Sequence, residues 1–170
     1  MVLDLLKASN MNDRISWDSY FMGIAKLVRE RSEDPCCKVG ACIIKDNKII
    51  STGYNGMPSR SEHGRYPWTK GDPDPTKNKY FYVVHAELNA ILNSERSLKG
   101  ATLYVTKFPC NECAKAIIQS GISKVIFTDD ISNENLQKDD EFIATYHMFM
   151  NSHVVINEYC DTGKSIVISI

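Results

Sequence analysis

Several features that are scarce or missing in this 170-residue sequence exclude whole classes of protein. There is no run of about 18 apolar residues, so no membrane-spanning helix is expected. There is no basic excess, because 20 Lys and Arg are matched by 21 Asp and Glu, and this balance argues against non-specific binding to nucleic acid. The opening MVLDLLKASN has an acidic residue in its apolar patch and no basic start, unlike a secretory signal. We therefore expect a cytoplasmic protein without nucleic-acid or membrane partners.

Cysteine is too sparse for a disulfide scaffold, with six in the chain. Without a secretory signal, metal binding or catalysis explains such cysteines better than disulfide bonding does. The length suits one domain spanning 1–170, since chains usually divide only beyond about 250 residues. No repeat, linker or low-complexity segment interrupts it.

Hydrophobic periodicity and turn residues predict an alternation of helices and strands. The predicted helices span 16–31, 85–93, 111–120 and 135–150, and the predicted strands span 39–44, 48–53, 102–106, 124–128 and 154–157, with 165–170 as a last, edge strand. A short polar turn at Asp46 and Asn47 makes the first two strands an antiparallel hairpin. Later strand–helix–strand units favour parallel pairing. The fold class is therefore α/β, a mixed sheet with helices on both faces.

One long segment, residues 59–79, has no periodicity and contains three prolines and two glycines. Loops longer than about 15 residues inside a compact domain are usually functional or disordered. Because the aromatic side chains of Tyr66 and Trp68 can pack against the domain, we interpret this segment as a functional lid.

Two short segments carry residues that can hold and use a metal. Cys110 and Cys113 are three apart at the start of a predicted helix and project from one side of it, while His85 adds a nitrogen from another helix. Such a set leaves one tetrahedral position of zinc open, which is typical of catalytic zinc and lowers the pKa of a bound water to about 7. Glu87 is then the natural proton shuttle. The H-x-E…P-C-x-x-C pattern is the signature of zinc-dependent nucleobase deaminases.

Other interpretations of these residues stay open. A lone C-x-x-C pair is also typical of a redox site. A fourth protein ligand would make the zinc structural, and the residues that could supply it are Cys36, Cys37, Cys42, Cys160 and His63. A zinc-stabilised interaction module without catalysis is an alternative of another class, but it has no use for a carboxylate at position 87. Otherwise Cys36, Cys37 and Cys160 are ordinary reduced thiols, and Cys42 is a buried strand residue.

Five longer segments resemble a single family. They are RSEDP at 31–35, VGACI at 39–43, GYNGMP at 53–58, HAELNAI at 85–91 and FPCNECAK at 108–115. Together they resemble the deoxycytidylate (dCMP) deaminase family, within the zinc-dependent cytidine/deoxycytidylate deaminase superfamily. The resemblance covers the chain from about Trp17 onward, and the GYNGMP turn is what narrows it to dCMP deaminases.

The resemblance implies a three-layer α/β/α cytidine-deaminase-like fold with a five-stranded mixed sheet. It implies hydrolysis of dCMP to dUMP and ammonia, which supplies dUMP for dTMP synthesis. It also implies one catalytic Zn²⁺ per subunit, with His85, Cys110 and Cys113 as ligands and Glu87 as the proton shuttle. A tRNA adenosine, free cytosine, deoxycytidine or dCTP remains an alternative substrate of the same chemistry, although balanced charge disfavours tRNA.

The resemblance also assigns substrate contacts and regulation. Asn55 matches the asparagine that contacts the sugar, the backbone around Ala86 matches the donor to the base carbonyl, and Ser32 and Phe108 align with pocket-lining residues. The resemblance also implies a homo-oligomer, a hexamer or a trimer, that is activated by dCTP with Mg²⁺ and inhibited by dTTP at a site near the loop after GYNG. Candidates for binding the substrate phosphate are Arg31 and Lys38, with Arg29 and Arg60 as further cations, although each is also explained as a solvated surface charge.

Overall fold

The computed structural model describes residues 14–62, 64–128 and 139–169. Its helices are α1 (Trp17–Arg29), α2 (Ala86–Leu92), α3 (Asn111–Gln119) and α4 (Asp140–Asn151), and its strands are β1 (Gly40–Lys45), β2 (Lys48–Tyr54), β3 (Thr102–Val105), β4 (Lys124–Phe127) and β5 (Val155–Glu158). Each of these elements was predicted, and their ends agree within two residues except at the start of the last helix. That helix begins after the N-cap Asp139, and the predicted start at 135 lies outside the described residues.

The five strands form one mixed sheet in the order β2-β1-β3-β4-β5. Strand β1 is antiparallel to both β2 and β3, whereas β3, β4 and β5 run parallel to one another. Asp46 and Asn47 connect β1 to β2 with φ angles of 52° and 57°. Two consecutive left-handed residues are typical of the tight hairpin turn that matches strand twist, and Asn and Asp tolerate this conformation. The predicted hairpin and mixed sheet are confirmed.

Helices cover both faces of the sheet, which gives the three predicted layers. Helix α1 packs on one face through Phe21 and Met22, against a cluster that includes Cys42. Helices α2, α3 and α4 pack on the other face, where the second cluster includes Ile43 and Leu103. Because successive side chains of a strand point to opposite faces, neighbouring residues of β1 enter different clusters. Cys42 is fully buried, as predicted.

Helix α2 lies unusually close to strand β2, and Gly53 makes this possible. A Cβ atom at position 53 would lie 2.3 Å from the Ala90 nitrogen and 2.4 Å from the Ala86 carbonyl oxygen. Contacts so short are excluded for real atoms, so any side chain here would push the helix away. The Ser51 hydroxyl donates to the Ala90 carbonyl at 2.7 Å, and this hydrogen bond is a second contact that joins β2 to α2. The start of α2 therefore has a defined position above the sheet.

The predicted edge strand at the C-terminus is wrong for residues 165–169, which form no strand. Its apolar residues Ile166, Val167 and Ile168 are exposed. An apolar run becomes a strand only when a neighbour pairs with its backbone, and within the described parts of the chain β5 pairs only with β4. Residues 59–62 and 64–79 are irregular except for a short 3₁₀ turn at Pro75–Lys77 and the first residue of a second at Lys79–Phe81.

No helix in the described parts of the chain combines the length and the apolar character that crossing a membrane requires.

Candidate active site

The starts of helices α2 and α3 bring three metal-ligand side chains together. His85 is the N-cap residue of α2, and Cys110 is the N-cap residue of α3, with Cys113 in its first turn. The Nδ1 atom of His85 lies 3.3 Å from the Cys110 sulfur and 3.4 Å from the Cys113 sulfur. All three ligand atoms fall within 4.8 Å of one another, and no other such group of three occurs among residues 14–62, 64–128 and 139–169. Two sulfurs and one imidazole nitrogen are a donor set that suits zinc.

The sequence alternatives for a fourth ligand do not join this group. Cys36, Cys37, Cys42 and Cys160 are free thiols outside the cluster, while His63 lies outside the described residues. The two clustered cysteines, Cys110 and Cys113, are also free thiols rather than a disulfide. The arrangement is therefore one of three converging ligands.

The electrostatics of the cluster favour a cation. A hydrogen bond from the Cys113 thiol, followed by one with His85, lowers the pKa of Cys110 to about 4. The pKa of Cys113 is raised in turn by its hydrogen bond with Cys110 and by burial. The hydrogen bond with Cys110 also raises the pKa of His85. The three side chains thus share protons at close range. A metal ion bound between them would replace those protons and accept an electron pair from each side chain.

Glu87 lies in the first turn of α2, two residues after His85, and is 4% exposed. Burial raises the pKa of its carboxyl group above the ordinary value. A buried carboxyl group whose pKa lies closer to neutrality exchanges protons more readily than an exposed one, because catalytic proton transfer is most efficient near the working pH. Glu87 is therefore suited to carry protons within the site.

A cavity of about 410 Å³ opens beside these residues. Four of the predicted site residues that are not metal ligands line it, namely Asn55, Ala86, Glu87 and Phe108, together with the ligands His85 and Cys110. The Phe108 ring is held by Phe142 at 4.6 Å and Phe127 at 5.1 Å between ring centroids. A cavity of this volume falls in the range that small-molecule sites usually have.

Among the predicted contacts to the substrate, Ser32, Arg31 and Lys38 do not line this cavity. Ser32 is buried, and its hydroxyl donates to the Asn55 carbonyl at 2.8 Å, so it supports a lining residue from behind. Arg31 lines a second cavity of about 240 Å³ instead. The ammonium of Lys38 lies 3.4 Å from the carboxylate of Glu30 on the exposed surface.

Sequence reasoning missed five charged residues at the cavity. Lys70, Lys107, Glu141 and the buried pair of Asp34 and Lys79 all line it. Asp34 lies in the RSEDP segment, whose pattern does not indicate that it is buried at a cavity. Lys79 closes an aperiodic segment, where periodicity carries no information about burial. The available signal was that Asp34 belongs to one segment of the family resemblance and that another, HAELNAI, begins six residues after Lys79.

Comparison with known proteins yields one family and several relatives. Residues 15–129 match the family described as the cytidine and deoxycytidylate deaminase zinc-binding region. The deoxycytidylate deaminase of Homo sapiens is 43% identical over 159 residues, covering 92% of this chain and 87% of the human one. That of Mus musculus is 41% identical over 165 residues, covering 96% and 90%. The dCMP deaminase of cyanophage S-TIM5, solved in complex with dCMP and dUMP, superposes with a TM-score of 0.62 at 27% identity over 83% of this chain and 95% of the phage chain.

Proposed function

This chain belongs to the cytidine and deoxycytidylate deaminase zinc-binding family, and from that membership we propose that it hydrolyses dCMP to dUMP and ammonia. The observation that carries the proposal is the convergence of His85, Cys110 and Cys113 beside the buried Glu87, in a cavity large enough for a mononucleotide. The phage relative solved with dCMP and dUMP supports the choice of nucleotide.

His85, Cys110 and Cys113 would hold one zinc ion, because their ligand atoms converge and three protein ligands leave one position open. When bound, zinc supplies a Lewis acid that lowers the pKa of a water molecule to about 7. This ligand set accounts for two of the six cysteines.

Glu87 would move the protons of the reaction. It accepts a proton from the attacking water and delivers it to N3 of the cytosine ring, while the water oxygen adds to C4. The carboxylate then takes the remaining proton of that oxygen and passes it to the amino group, which leaves as ammonia. One side chain thus acts first as base and then as acid, which requires a pKa near the working pH. The raised pKa of the buried Glu87 supports this role.

Three cavity residues would orient the substrate. Ala86 is the first residue of α2, so its N–H has no acceptor within the helix and can donate to the carbonyl of the base. Phe108 offers a ring to the base, and Asn55 offers its amide oxygen to the sugar. Lys70 and Lys107 are exposed residues that line the same cavity, and this position supports them, rather than Arg31 and Lys38, as the cations for the phosphate.

A substrate screen tests the proposal. We expect the wild-type protein, with one zinc per chain, to deplete the ultraviolet absorbance of cytosine most efficiently with dCMP. Lower kcat/KM is expected with CMP, deoxycytidine and dCTP, because each departs from dCMP in the sugar or in the phosphate. Ammonia release is measured in parallel as an independent product. Zinc-loaded protein that turns over none of these compounds would contradict the proposal and favour a zinc-stabilised interaction module.

Regulation by dCTP and dTTP, in a hexamer or trimer, is a further part of the proposal. The second cavity supports it, since Arg31, Arg60 and Arg65 line it together with Tyr66 and Trp68. Arginines pair with phosphates, and aromatic rings stack on bases. We expect dCTP with Mg²⁺ to raise the rate at low dCMP concentration and dTTP to lower it. Hyperbolic kinetics that neither nucleotide changes would refute regulation.

A further inference from the structure

A buried ion pair lies at the wall of the cavity, and the reaction steps above do not use it. The Lys79 ammonium is 2.5 Å from Oδ2 of Asp34, and the two side chains are only 6% and 2% exposed. Removing two charges from water is costly, and such a pair is often no more stabilising than an apolar replacement. Stability alone is therefore a weak reason for a pair at this position.

The Asp34 carboxylate is saturated with donors. Its Oδ1 atom accepts from the N–H groups of Cys36 at 2.9 Å and Cys37 at 3.1 Å. Its Oδ2 atom accepts from Lys79 and, at 3.3 Å, from the side-chain nitrogen of Asn55. Burial alone would raise the pKa of this carboxyl group, but the hydrogen bonds from Lys79 and the two backbone N–H groups outweigh it and lower the pKa. Asp34 thus stays an ionised acceptor.

This acceptor is one of three groups that orient the amide of Asn55. Both protons of its nitrogen are used, one by Asp34 and the other by the Cys37 carbonyl at 2.9 Å. The amide oxygen accepts from the Val39 N–H at 2.7 Å and keeps one lone pair. Asn55 therefore offers an acceptor to a ligand in the cavity, and no donor. In dCMP the sugar carries a single hydroxyl group, which is the donor that such an acceptor selects.

We propose that Lys79, acting through Asp34, is a positioning residue that holds the Asn55 amide with its oxygen available to the sugar hydroxyl of the nucleotide. This inference rests on the proposed function. Without the ammonium, the buried Asp34 carboxylate loses its counter-charge and must take up a proton or shift toward water, which disturbs the hydrogen bond that it accepts from Asn55. The bonds with Val39 and Cys37 still prevent a flip of the amide, but Asp34 no longer holds Asn55 in a fixed position at the cavity wall. Recognition of the hydroxyl would be weakened.

The test compares kcat/KM for dCMP with that for the dideoxy nucleotide, which lacks the sugar hydroxyl. For wild-type protein we expect dCMP to be preferred about tenfold, the factor that one hydrogen bond of about 1.4 kcal/mol contributes. The Lys79→Met variant should lower this ratio toward one, and Asn55→Ala should bring it to about one. Asp34→Asn serves as a second variant, since it keeps the shape of the side chain but removes the ionised acceptor that Lys79 holds, and it should also lower the ratio. Circular dichroism and thermal unfolding establish that each variant folds.

Lys115→Met is the matched control. Lys115 also lies 2.5 Å from a carboxylate, that of Glu112, but this pair is exposed and outside the cavity, so the ratio should stay at the wild-type value. A role of Lys79 in stability alone would lower the rates with both nucleotides and leave their ratio unchanged. A wild-type ratio in folded Lys79→Met or Asp34→Asn protein, or a ratio near one in wild-type protein, would overturn the inference while leaving dCMP deamination intact. Wild-type protein without dCMP turnover would overturn the proposed function and this inference with it.

Discussion

Replacing Glu87 with glutamine is expected to lower kcat for dCMP about 10³-fold, the typical effect of losing a group that donates and accepts protons in the transition state. Glutamine keeps the size of the side chain and its place in the first turn of α2, but it cannot accept the proton of the attacking water. Because Glu87 is not a member of the converging ligand group, zinc content should stay at one per chain. Steady-state kinetics and elemental analysis on the same sample measure both quantities.

The matched control is Glu112→Gln. Glu112 is also an acidic residue in the first turn of a site helix, here α3, but its side chain is 73% exposed and pairs with Lys115. We expect kcat within about twofold of wild type, since exposed charge pairs contribute little. If Glu87→Gln turned over dCMP nearly as fast as this control, another group would have to carry the protons.

Most of the fold could be predicted because its signals are local. The hairpin follows from Asp46 and Asn47, and α1 begins after Ser16, a residue type preferred at the N-cap, whose hydroxyl accepts from the Ser19 N–H. The tail 165–169 was mispredicted because a strand depends on a partner elsewhere in the sheet, which its own residues do not specify.

The convergence of the three ligand residues could be predicted for a similar reason, since they and Glu87 lie in two short segments with fixed spacing. The other charged residues that line the wall of the cavity could not be predicted in this way. Asp34 and Lys79 are 45 residues apart, and only the folded chain shows that they meet. Likewise Arg31 and Lys38 are cations near the RSEDP segment, yet which cavity a surface cation reaches depends on how the loops pack.

Replacing Cys110 with alanine is expected to release zinc and abolish turnover. Two ligands remain, and zinc sites in proteins need three or four. Zinc that binds only the folded chain stabilises it by about 2.7 kcal/mol at a free concentration 100 times its Kd. In a chain of this size each kcal/mol shifts the melting temperature by about 2–4 °C, so we expect a fall of about 5–10 °C. Elemental analysis and thermal unfolding measure the two effects, and Cys160→Ala, which removes an exposed cysteine outside the cluster, should change neither.

Alanine at 110 also removes a helix cap, because the Cys110 sulfur accepts from the Cys113 N–H at 3.4 Å. Cys110→Ser separates the two effects, since serine is a preferred N-cap residue but its hydroxyl is a poor zinc ligand. If metal binding accounts for the stability, the serine variant should melt at the temperature of chelator-treated wild-type protein and should not respond to chelator itself. A serine variant that melts like zinc-loaded wild type would show that position 110 stabilises the chain by capping α3. Retention of one zinc per chain in either variant would contradict the ligand assignment directly.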